Sequence, residues 1–210
     1  MPAIIFDFDG TLADTRRGII ATAQETLRRM GLPPGDEAAL AATIGLPLIE
    51  NFTRGAGLSL DDAQRAVAIY RTIFDEVAVP VIQLFPGVAE TLAALAGRGI
   101  PMAVASSRGQ RSLEMLMHLT GLDASIPTTM VFGVEKAARP KPAPDLVYVI
   151  LGHLGTRPEE TLVVGDTTFD IEMGRAAGCR TCGVSYGNQT ADQLAAACPD
   201  YIIDDLRKLH

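Results

Sequence analysis

The sequence has few of the features that mark several large classes of protein. It contains only three cysteines and three lysines, and it has no run of like charges. No apolar stretch approaches the roughly 20 residues that a membrane-spanning helix needs. The first predicted strand begins almost at Met1, so a cleavable signal peptide would remove that strand. We therefore expect a cytoplasmic protein that has no membrane partner.

The three cysteines are too few for a framework of disulfide bridges. Cys179 and Cys182 have the spacing of a C-x-x-C motif, but they run into an apolar stretch. A redox pair normally stands at the start of a helix instead. No second pair completes a set of zinc ligands. These observations disfavour a redox or zinc site.

Basic residues are also outnumbered. Lysine and arginine together number 18 against 25 aspartates and glutamates, so the formal net charge is −7. This balance argues against nucleic acid or an anionic membrane surface as a partner. An anionic substrate would therefore need a local cation, which could be a metal ion or a few well-placed lysines and arginines.

Most of the chain alternates between apolar strands and helices, which predicts an α/β fold. Such alternation is typical of a doubly wound parallel sheet that is covered by helices on both faces. An all-helical stretch, from Arg16 to Val79, interrupts this pattern after the first strand. We interpret residues 16–80 as an inserted α-helical cap, and residues 1–15 and 81–210 as a catalytic α/β core.

Two carboxylates follow the first strand, in the motif FDFDGTL (residues 6–12). Asp7 and Asp9 project to the same side of an extended chain, where they repel unless a cation or a shared proton separates them. Gly10 allows a sharp turn, and Thr11 offers a hydroxyl and a backbone N–H. The motif is typical of a metal-dependent phosphoryl-transfer site. Turn chemistry is the alternative, but an unpaired charge inside an apolar strand would be costly.

Further polar residues follow later strands, where ligands bind in parallel α/β sheets. They are Ser106, Ser107, Lys141, Asp166 and Asp170. A carboxylate and a phosphate dianion repel each other, and Mg²⁺ removes that obstacle by bridging their oxygens. An ammonium group and hydroxyls can hold the remaining phosphate oxygens. Together these residues supply each part of a phosphoryl-transfer site.

Each of these residues also has a structural alternative. Asp166 and Asp170 could cap a helix, and Lys141 could be an ordinary loop lysine. Ser106 could cap the next helix, which would be compatible with phosphate binding at the same helix end. The register at the strand end leaves Ser106 and Ser107 as alternatives, with Ser106 preferred. Their occurrence together favours the functional interpretation.

A few residues outside the motifs could also reach the site. Four arginines of the predicted cap could bind an anionic group, although a solvated surface role is preferred for each: Arg16, Arg17, Arg54 and Arg71. The segment GLP at 45–47 could cover the site or form a plain turn between helices. Asn188 follows a predicted strand, and a turn role is preferred for it. His118 and His153 lack metal-ligand spacing, which favours structural roles.

The motifs, in this order, resemble those of the haloacid dehalogenase (HAD) superfamily. The matching segments are DFDGTL at 7–12, ASS at 105–107, KPAPD at 141–145 and GDTTFD at 165–170. The resemblance covers nearly the whole chain and is nearest to the phosphoglycolate phosphatase-like group, which has a helical cap after the first motif. Four ordered motifs are far more specific than any one alone.

The resemblance implies roles for the acidic residues. Asp7 would be the nucleophile that forms an aspartyl-phosphate. Asp9 would be the general acid and then the general base, with its backbone carbonyl facing the metal. Asp166 would complete the Mg²⁺ ligands with Asp7 and Asp9, and Asp170 would support the metal's waters or the lysine.

The resemblance also implies a phosphate pocket. Thr11, Ser106, Ser107 and Lys141 would bind the phosphate, and Lys141 would in addition hold the nucleophile and count among the catalytic residues. The site would thus combine one divalent cation, one ammonium group and several hydroxyls around the phosphate.

The function that follows is a Mg²⁺-dependent phosphatase acting through a phosphoaspartate on a small phosphorylated metabolite, either phosphoglycolate-like or a sugar phosphate. A sugar phosphomutase, a pyrophosphatase or a non-catalytic binding module are the alternatives. The presence of Asp9 disfavours a dehalogenase. Residues 15–85 contain no lysine, which disfavours a phosphonatase that needs a Schiff-base lysine from the cap. The sequence does not indicate the oligomeric state.

Overall fold

The computed structural model describes residues 3–209, and its strands form one large and one small sheet. The strands are β1 (Ala3–Phe6), β2 (Ala13–Asp14), β3 (Gln83–Leu84), β4 (Met102–Ala105), β5 (Val131–Phe132), β6 (Thr161–Gly165), β7 (Arg180–Val184) and β8 (Tyr201–Ile203). The α-helices are α1 (Arg16–Arg29), α2 (Glu37–Ala41), α3 (Leu48–Glu50), α4 (Leu60–Val77), α5 (Val88–Gly97), α6 (Gln110–Leu119), α7 (Asp145–Leu154), α8 (Thr168–Ala176) and α9 (Ala191–Ala195). A short π-helix, Asn51–Gly55, lies between α3 and α4.

The large sheet has six parallel strands in the order β5-β4-β1-β6-β7-β8. Ile5 of β1 lies between Ala103 of β4 and Val163 of β6. Along the chain, β4 and then β5 are added on one side of β1, and β6, β7 and β8 are then added in turn on its other side. This strand order confirms the predicted doubly wound α/β fold. The reversal lies between β1 and β6, and ligands of such folds bind beside that point, outside the carboxyl ends of the strands.

Both faces of the sheet are covered, which explains the nearly continuous apolar runs of its strands. On one face, Ile5 packs in a buried cluster with Val147 and Ile150 of α7. On the other face, Ile4 and Phe6 belong to a second and larger cluster. Because β1 is enclosed on both sides, the position of the residue that follows it is rigidly defined.

Residues 16–77, which contain α1–α4 and the segments between them, are called the helical block. The small antiparallel sheet lies where the chain passes from the core into this block and back again. Ala13 of β2 pairs with Leu84 of β3, and Asp14 pairs with Gln83. Sequence analysis did not predict this pairing, because two-residue strands carry no periodic signal. Block residues such as Phe52 share one continuous apolar cluster with the sheet.

The expectation of helix throughout residues 16–79 was wrong in part. Residues 30–36, 42–47 and 56–59 are turns, bends and irregular segments, where glycine and proline interrupt the helical pattern. The division into a cap at 16–80 and a core remains a prediction. No helix within residues 3–209 combines the length and the apolar character needed to cross a membrane.

Candidate active site

The polar residues of the four motifs meet at the carboxyl end of the sheet, beside the reversal point. Asp7 follows β1, Ser106 follows β4 and Asp166 follows β6. Lys141 comes from the loop between β5 and α7, and Asp170 lies in the first turn of α8. All five are buried. Residues that are far apart in the chain therefore form one cluster.

Lys141 occupies the centre of this cluster. Its Nζ donates hydrogen bonds to Oδ1 of Asp7 and to Oδ1 of Asp170, each 2.6 Å long. Burial alone would lower the pKa of Lys141, but the attraction of Asp170 and Asp7 outweighs it and raises that pKa above its usual value. The lysine is therefore a fixed positive charge between two carboxylates.

One ammonium group is not enough to balance the carboxylates around it. Carboxylate oxygens of Asp7, Asp166 and Asp170 lie within 4.8 Å of one another. Beside Lys141, this leaves two negative charges uncompensated. Burial, with the repulsion of Asp170, raises the pKa of Asp166 to about 7. Burial also raises the pKa of Asp7 well above its ordinary value, against the attraction of Lys141.

The donor set fits a hard divalent cation. Oδ2 of Asp7 is buried and accepts no hydrogen bond from residues 3–209. A free carboxylate oxygen beside a second carboxylate, that of Asp166, is the type of ligand pair that Mg²⁺ prefers. The carboxylate of Asp9 is not part of this cluster. A contribution from Asp9 would therefore come from its backbone carbonyl, as the family resemblance implies.

Asn188 holds the carboxylate of Asp166 in place. Oδ2 of Asp166 accepts hydrogen bonds from the backbone N (2.6 Å) and from Nδ2 (2.8 Å) of Asn188. Oδ1 accepts a longer one, 3.3 Å, from Oγ1 of Thr11. The preferred interpretation of Asn188 as a plain turn residue was therefore wrong. Its position after β7, the neighbour of β6, was the available signal.

The carboxylate of Asp170 contacts both the start of α8 and Lys141. Oδ2 accepts hydrogen bonds from the backbone N (3.1 Å) and Oγ1 (2.7 Å) of Thr167, which form part of the capping box of α8. Oδ1 accepts from Lys141. The helix cap therefore aims the carboxylate at the lysine. A supporting role of Asp170 in the reaction stays a prediction.

Two glycines allow the loops that carry these residues to approach closely. Gly10 has a φ of +88°, and a Cβ there would collide with the carboxylate of Asp166. A Cβ on Gly187 would collide with the backbone O of Gly10 and with Cβ of Asp166. The loops that follow β1, β6 and β7 are therefore packed closely against one another.

Asp9 has a cation of its own, which sequence analysis missed. Nη2 of Arg108 donates to Oδ1 of Asp9 (2.6 Å), and Nε donates to Oδ2 (3.1 Å). Burial lowers the pKa of Arg108, but the attraction of Asp9 outweighs it and raises the pKa. Asp7 and Asp9 face the same cleft but contact different cations. The position of Arg108, next to the serines after β4, was the only signal.

The predicted phosphate-binding hydroxyls have different surroundings. Oγ of Ser106 accepts a hydrogen bond from the backbone N of Arg108, 3.1 Å away. The N-cap of α6 is Gly109, so the alternative in which Ser106 caps that helix was wrong. Oγ of Ser107 donates to the backbone O of Gly45 (2.6 Å). The hydroxyl of Thr11 donates to Asp166. Phosphate binding by these residues remains a prediction.

A cleft of about 850 Å³ lies between the helical block and the carboxyl end of the sheet. Its core side includes Asp7, Asp9, Ser106, Ser107 and Arg108, and its block side includes residues 43–49, Tyr70, Arg71 and Phe74. Residues 45–47 therefore cover the site. Of the four arginines considered in the helical block, only Arg71 lines the cleft. The cleft is large enough for a small metabolite.

The other candidate residues lie apart from this cleft. His118 pairs with Asp123 on the surface, and His153 packs against the ring of Phe132. Cys179 and Cys182 are free, buried thiols. Burial raises the pKa of the Cys179 thiol to about 11, which is unlike a reactive cysteine.

Comparison with known proteins gives a consistent match. The model of the haloacid dehalogenase-like hydrolase family matches residues 4–184. Probable phosphatase IndB of Dickeya dadantii is 39% identical over 97% of this chain and 89% of its own length. A phosphoglycolate phosphatase of Pectobacterium atrosepticum is 34% identical, covering 96% and 87%. Pyrophosphatase PpaX of Bacillus velezensis is 31% identical, covering 99% and 94%.

A solved structure agrees with these relatives. A haloacid dehalogenase-like family hydrolase of Streptococcus pneumoniae has a TM-score of 0.88 and 25% identity, covering 99% of this chain and 96% of that one. The chain belongs to the haloacid dehalogenase-like hydrolase family. The predicted resemblance to its phosphoglycolate phosphatase-like group is confirmed, and so is the prediction of an enzyme of the phosphatase class.

The raised pKa of Asp166 predicts how stability depends on pH without a metal ion. The carboxyl has a pKa near 3.8 in the unfolded chain and about 7 in the folded one, so the folded state binds its proton more tightly. The stability from this group is therefore complete below pH 4 and is lost as the pH rises through 7. Each unit between the two values is worth about 1.4 kcal/mol.

Thermal unfolding in EDTA measures this loss. The wild type should lose stability between pH 5 and 8, and Asp166→Asn should lose clearly less. Asp75→Asn, at an exposed acid of the same cleft, is the control and should follow the wild type. Identical pH profiles for Asp166→Asn and the wild type would show that the cluster does not hold Asp166 under electrostatic strain.

The close approach at Gly10 predicts a large effect of one added methyl group. Gly10→Ala should lower the free energy of unfolding by about 3 kcal/mol, because Asp166 is fixed by Asn188 and cannot move away. Gly31→Ala is the matched control, since Gly31 also has a positive φ of +74° but has open space around it. Gly31→Ala should lower the free energy of unfolding, measured by urea denaturation, by only about 1 kcal/mol. Equal losses for both variants would contradict the packing argument.

Proposed function

We propose that the chain is a Mg²⁺-dependent phosphatase that acts on a small phosphorylated metabolite through an aspartyl-phosphate on Asp7. One observation carries this proposal. Asp7 lines the cleft with one carboxylate oxygen bound to Lys141, while its other oxygen has no hydrogen-bond partner within residues 3–209. A carboxylate that is oriented but not saturated can act as a nucleophile.

Mg²⁺ would be held by the carboxylates of Asp7 and Asp166, together with the backbone carbonyl of Asp9. When bound, it would neutralise charge on the phosphate so that a carboxylate can approach. The two uncompensated negative charges of the cluster support this assignment, since one divalent cation balances them. Asn188 would keep Asp166 in the orientation needed for binding.

The reaction would proceed in two displacements. An oxygen of Asp7 attacks the phosphorus, the bond from phosphorus to the ester oxygen breaks, and Asp9 gives that oxygen a proton. A water molecule then attacks the phosphorus of the aspartyl-phosphate and gives a proton to Asp9. The bond between Asp7 and phosphorus breaks, phosphate is released, and Asp7 returns as a carboxylate while Asp9 again carries its proton. Lys141, Thr11 and the serines after β4 would stabilise the phosphate oxygens.

The helical block would act as a cap on this reaction. We assign residues 16–80 to the cap, and residues 1–15 and 81–210 to the catalytic core. Residues 45–47 line the cleft opposite the carboxylates, and the carbonyl of Gly45 accepts a hydrogen bond from Ser107 of the core. A closed cap would exclude water other than the attacking molecule, and it would have to open for product release.

The relatives support two classes of substrate. One is named a phosphoglycolate phosphatase and another a pyrophosphatase, and both names refer to small phosphorylated compounds. A phosphoglycolate-like ester or a sugar phosphate is the substrate that we favour. A sugar phosphomutase would use Asp7 and Asp9 in the same way, and a binding module would hydrolyse nothing.

A panel of phosphorylated compounds distinguishes these functions. We expect the purified protein to release phosphate from 2-phosphoglycolate or a related ester with Mg²⁺ but not with EDTA. Release from pyrophosphate alone would favour the pyrophosphatase. Isomerisation of a hexose 1-phosphate without release would favour the phosphomutase. No turnover of any compound with or without metal would favour the binding module.

Substitution of the nucleophile tests the mechanism directly. Asp7→Asn should lower phosphate release by more than about 1000-fold, because an amide cannot form the aspartyl-phosphate. The variant should stay folded in thermal unfolding, since it removes one charge from an over-acidic cluster. Asp75→Asn, at the exposed acid of the same cleft, should retain activity. Normal turnover by folded Asp7→Asn would refute the assignment of the nucleophile.

A further inference from the structure

The guanidinium of Arg108 occupies both carboxylate oxygens of Asp9. Nη2 and Nε of Arg108 donate to the two oxygens as a two-pronged fork, at 2.6 and 3.1 Å. The side chains are only 9% and 11% exposed, so little water competes for the pair. Charge-assisted bonds of this geometry are among the strongest in proteins. In this arrangement Asp9 has no oxygen without a partner donor.

Arg108 lies where the core meets the helical block. Its guanidinium carbon is 4.6 Å from the centre of the Phe74 ring on α4, and Nη1 donates to Oγ of Ser112 on α6 (3.2 Å). The planar group thus stacks on an aromatic face from the block while its edge faces Asp9. Lys141, in contrast, forms ion pairs with two carboxylates of the core, those of Asp7 and Asp170. Arg108 is the cation whose single carboxylate partner could be exchanged.

The proposed chemistry conflicts with this pair. Asp9 must bring an oxygen within hydrogen-bond distance of the ester oxygen of the leaving group. Both of its oxygens are already engaged, so the fork must release at least one of them. If the side chain of Arg108 moved away from Asp9 without finding another anion, its buried positive charge would be uncompensated, which is costly. Another anion in the same place would remove that cost.

We infer that Arg108 is the specificity-determining residue of the cleft: its fork exchanges the carboxylate of Asp9 for a second anionic group on the leaving-group side of the substrate. That group is a planar carboxylate or a phosphate a few bonds from the ester oxygen, because both match the fork. The exchange frees Asp9 to contact the ester oxygen. This inference rests on the proposed phosphatase function.

A neutral leaving group could not drive this exchange. It offers no charge to compensate the guanidinium, so the pair of Arg108 with Asp9 would persist and the acid would stay engaged. Two other arginines line the cleft, Arg71 and Arg111, but both are exposed. An exposed cation is already solvated and contributes little to the selection of an anion.

A pair of matched substrates tests the inference on the wild-type protein. 2-Phosphoglycolate and its neutral amide differ only in the second anionic group. The wild type should hydrolyse the acid with a kcat/KM about 100-fold above that of the amide, as expected for a charge-assisted fork. 1,2-Ethanediol bisphosphate, compared with 2-methoxyethyl phosphate, gives the corresponding ratio for a phosphate as the second group, because both are alkyl phosphate esters. The larger of the two ratios identifies which anion the fork takes.

Variants of Arg108 then locate the origin of that ratio. Arg108→Gln removes the charge, and Arg108→Lys keeps it without the fork, so the ratio should fall at least tenfold in each. Arg108→Lys alone decides the test if Arg108→Gln does not fold. Arg65→Ala is the matched control, since Arg65 lies on α4, the helix of Phe74, and pairs with Asp62 on its exposed surface. Its ratio should equal that of the wild type.

The outcomes separate this inference from the proposed function. If the wild type hydrolyses neither these esters nor p-nitrophenyl phosphate, the proposed function fails and the inference fails with it. If it hydrolyses acid and amide with equal efficiency, only the inference is overturned. The same holds if the ratio persists in folded Arg108→Lys, or if it collapses in Arg71→Ala instead.

Discussion

The structure depends on an imbalance of charge at the end of β1. Three buried carboxylates surround one ammonium group, and the lysine already donates hydrogen bonds of 2.6 Å to Asp7 and to Asp170. Such a cluster is under electrostatic strain, because burial weakens solvation of every charge in it. A divalent cation relieves that strain and adds the one component that a phosphate dianion needs to approach a carboxylate. The same imbalance therefore accounts for both the cost in stability and the proposed chemistry.

The fold provides what this strained cluster requires. β1 and β6 are neighbours at the reversal point of the sheet, and both are enclosed by apolar side chains, so Asp7 and Asp166 leave rigid strands side by side. Gly10 lets the loops approach closely, and Asn188, in the loop after the neighbouring strand β7, fixes Asp166. The helical block belongs to the same apolar cluster as the sheet. It also contacts the site itself, through Gly45 with Ser107 and through Phe74 with Arg108.

The sequence predicted the residues whose chemistry is unusual for their local position. Asp7 stands out because a charge after an apolar strand needs a reason, and Lys141 because lysines are so rare in this chain. Arg108 and Asn188 could not be found in this way, since an arginine or asparagine after a strand is ordinary. Their roles come from pairing with Asp9 and Asp166, 99 and 22 positions away. The pairing of β2 with β3 escaped for the same reason, because only tertiary contact defines it.

Calorimetric titration of Mg²⁺ into the metal-free protein near pH 6 determines whether the buried carboxylates form a site for a divalent cation. Performed in two buffers of different ionisation enthalpy, it reports both binding and the protons released. We predict that the wild type binds Mg²⁺ and releases protons, because the cation displaces them from carboxyls with raised pKa values. Binding and proton release should both be lost in Asp166→Asn. Absence of binding in the wild type, or equal binding in Asp166→Asn, would show that Asp7 and Asp166 do not form a metal site.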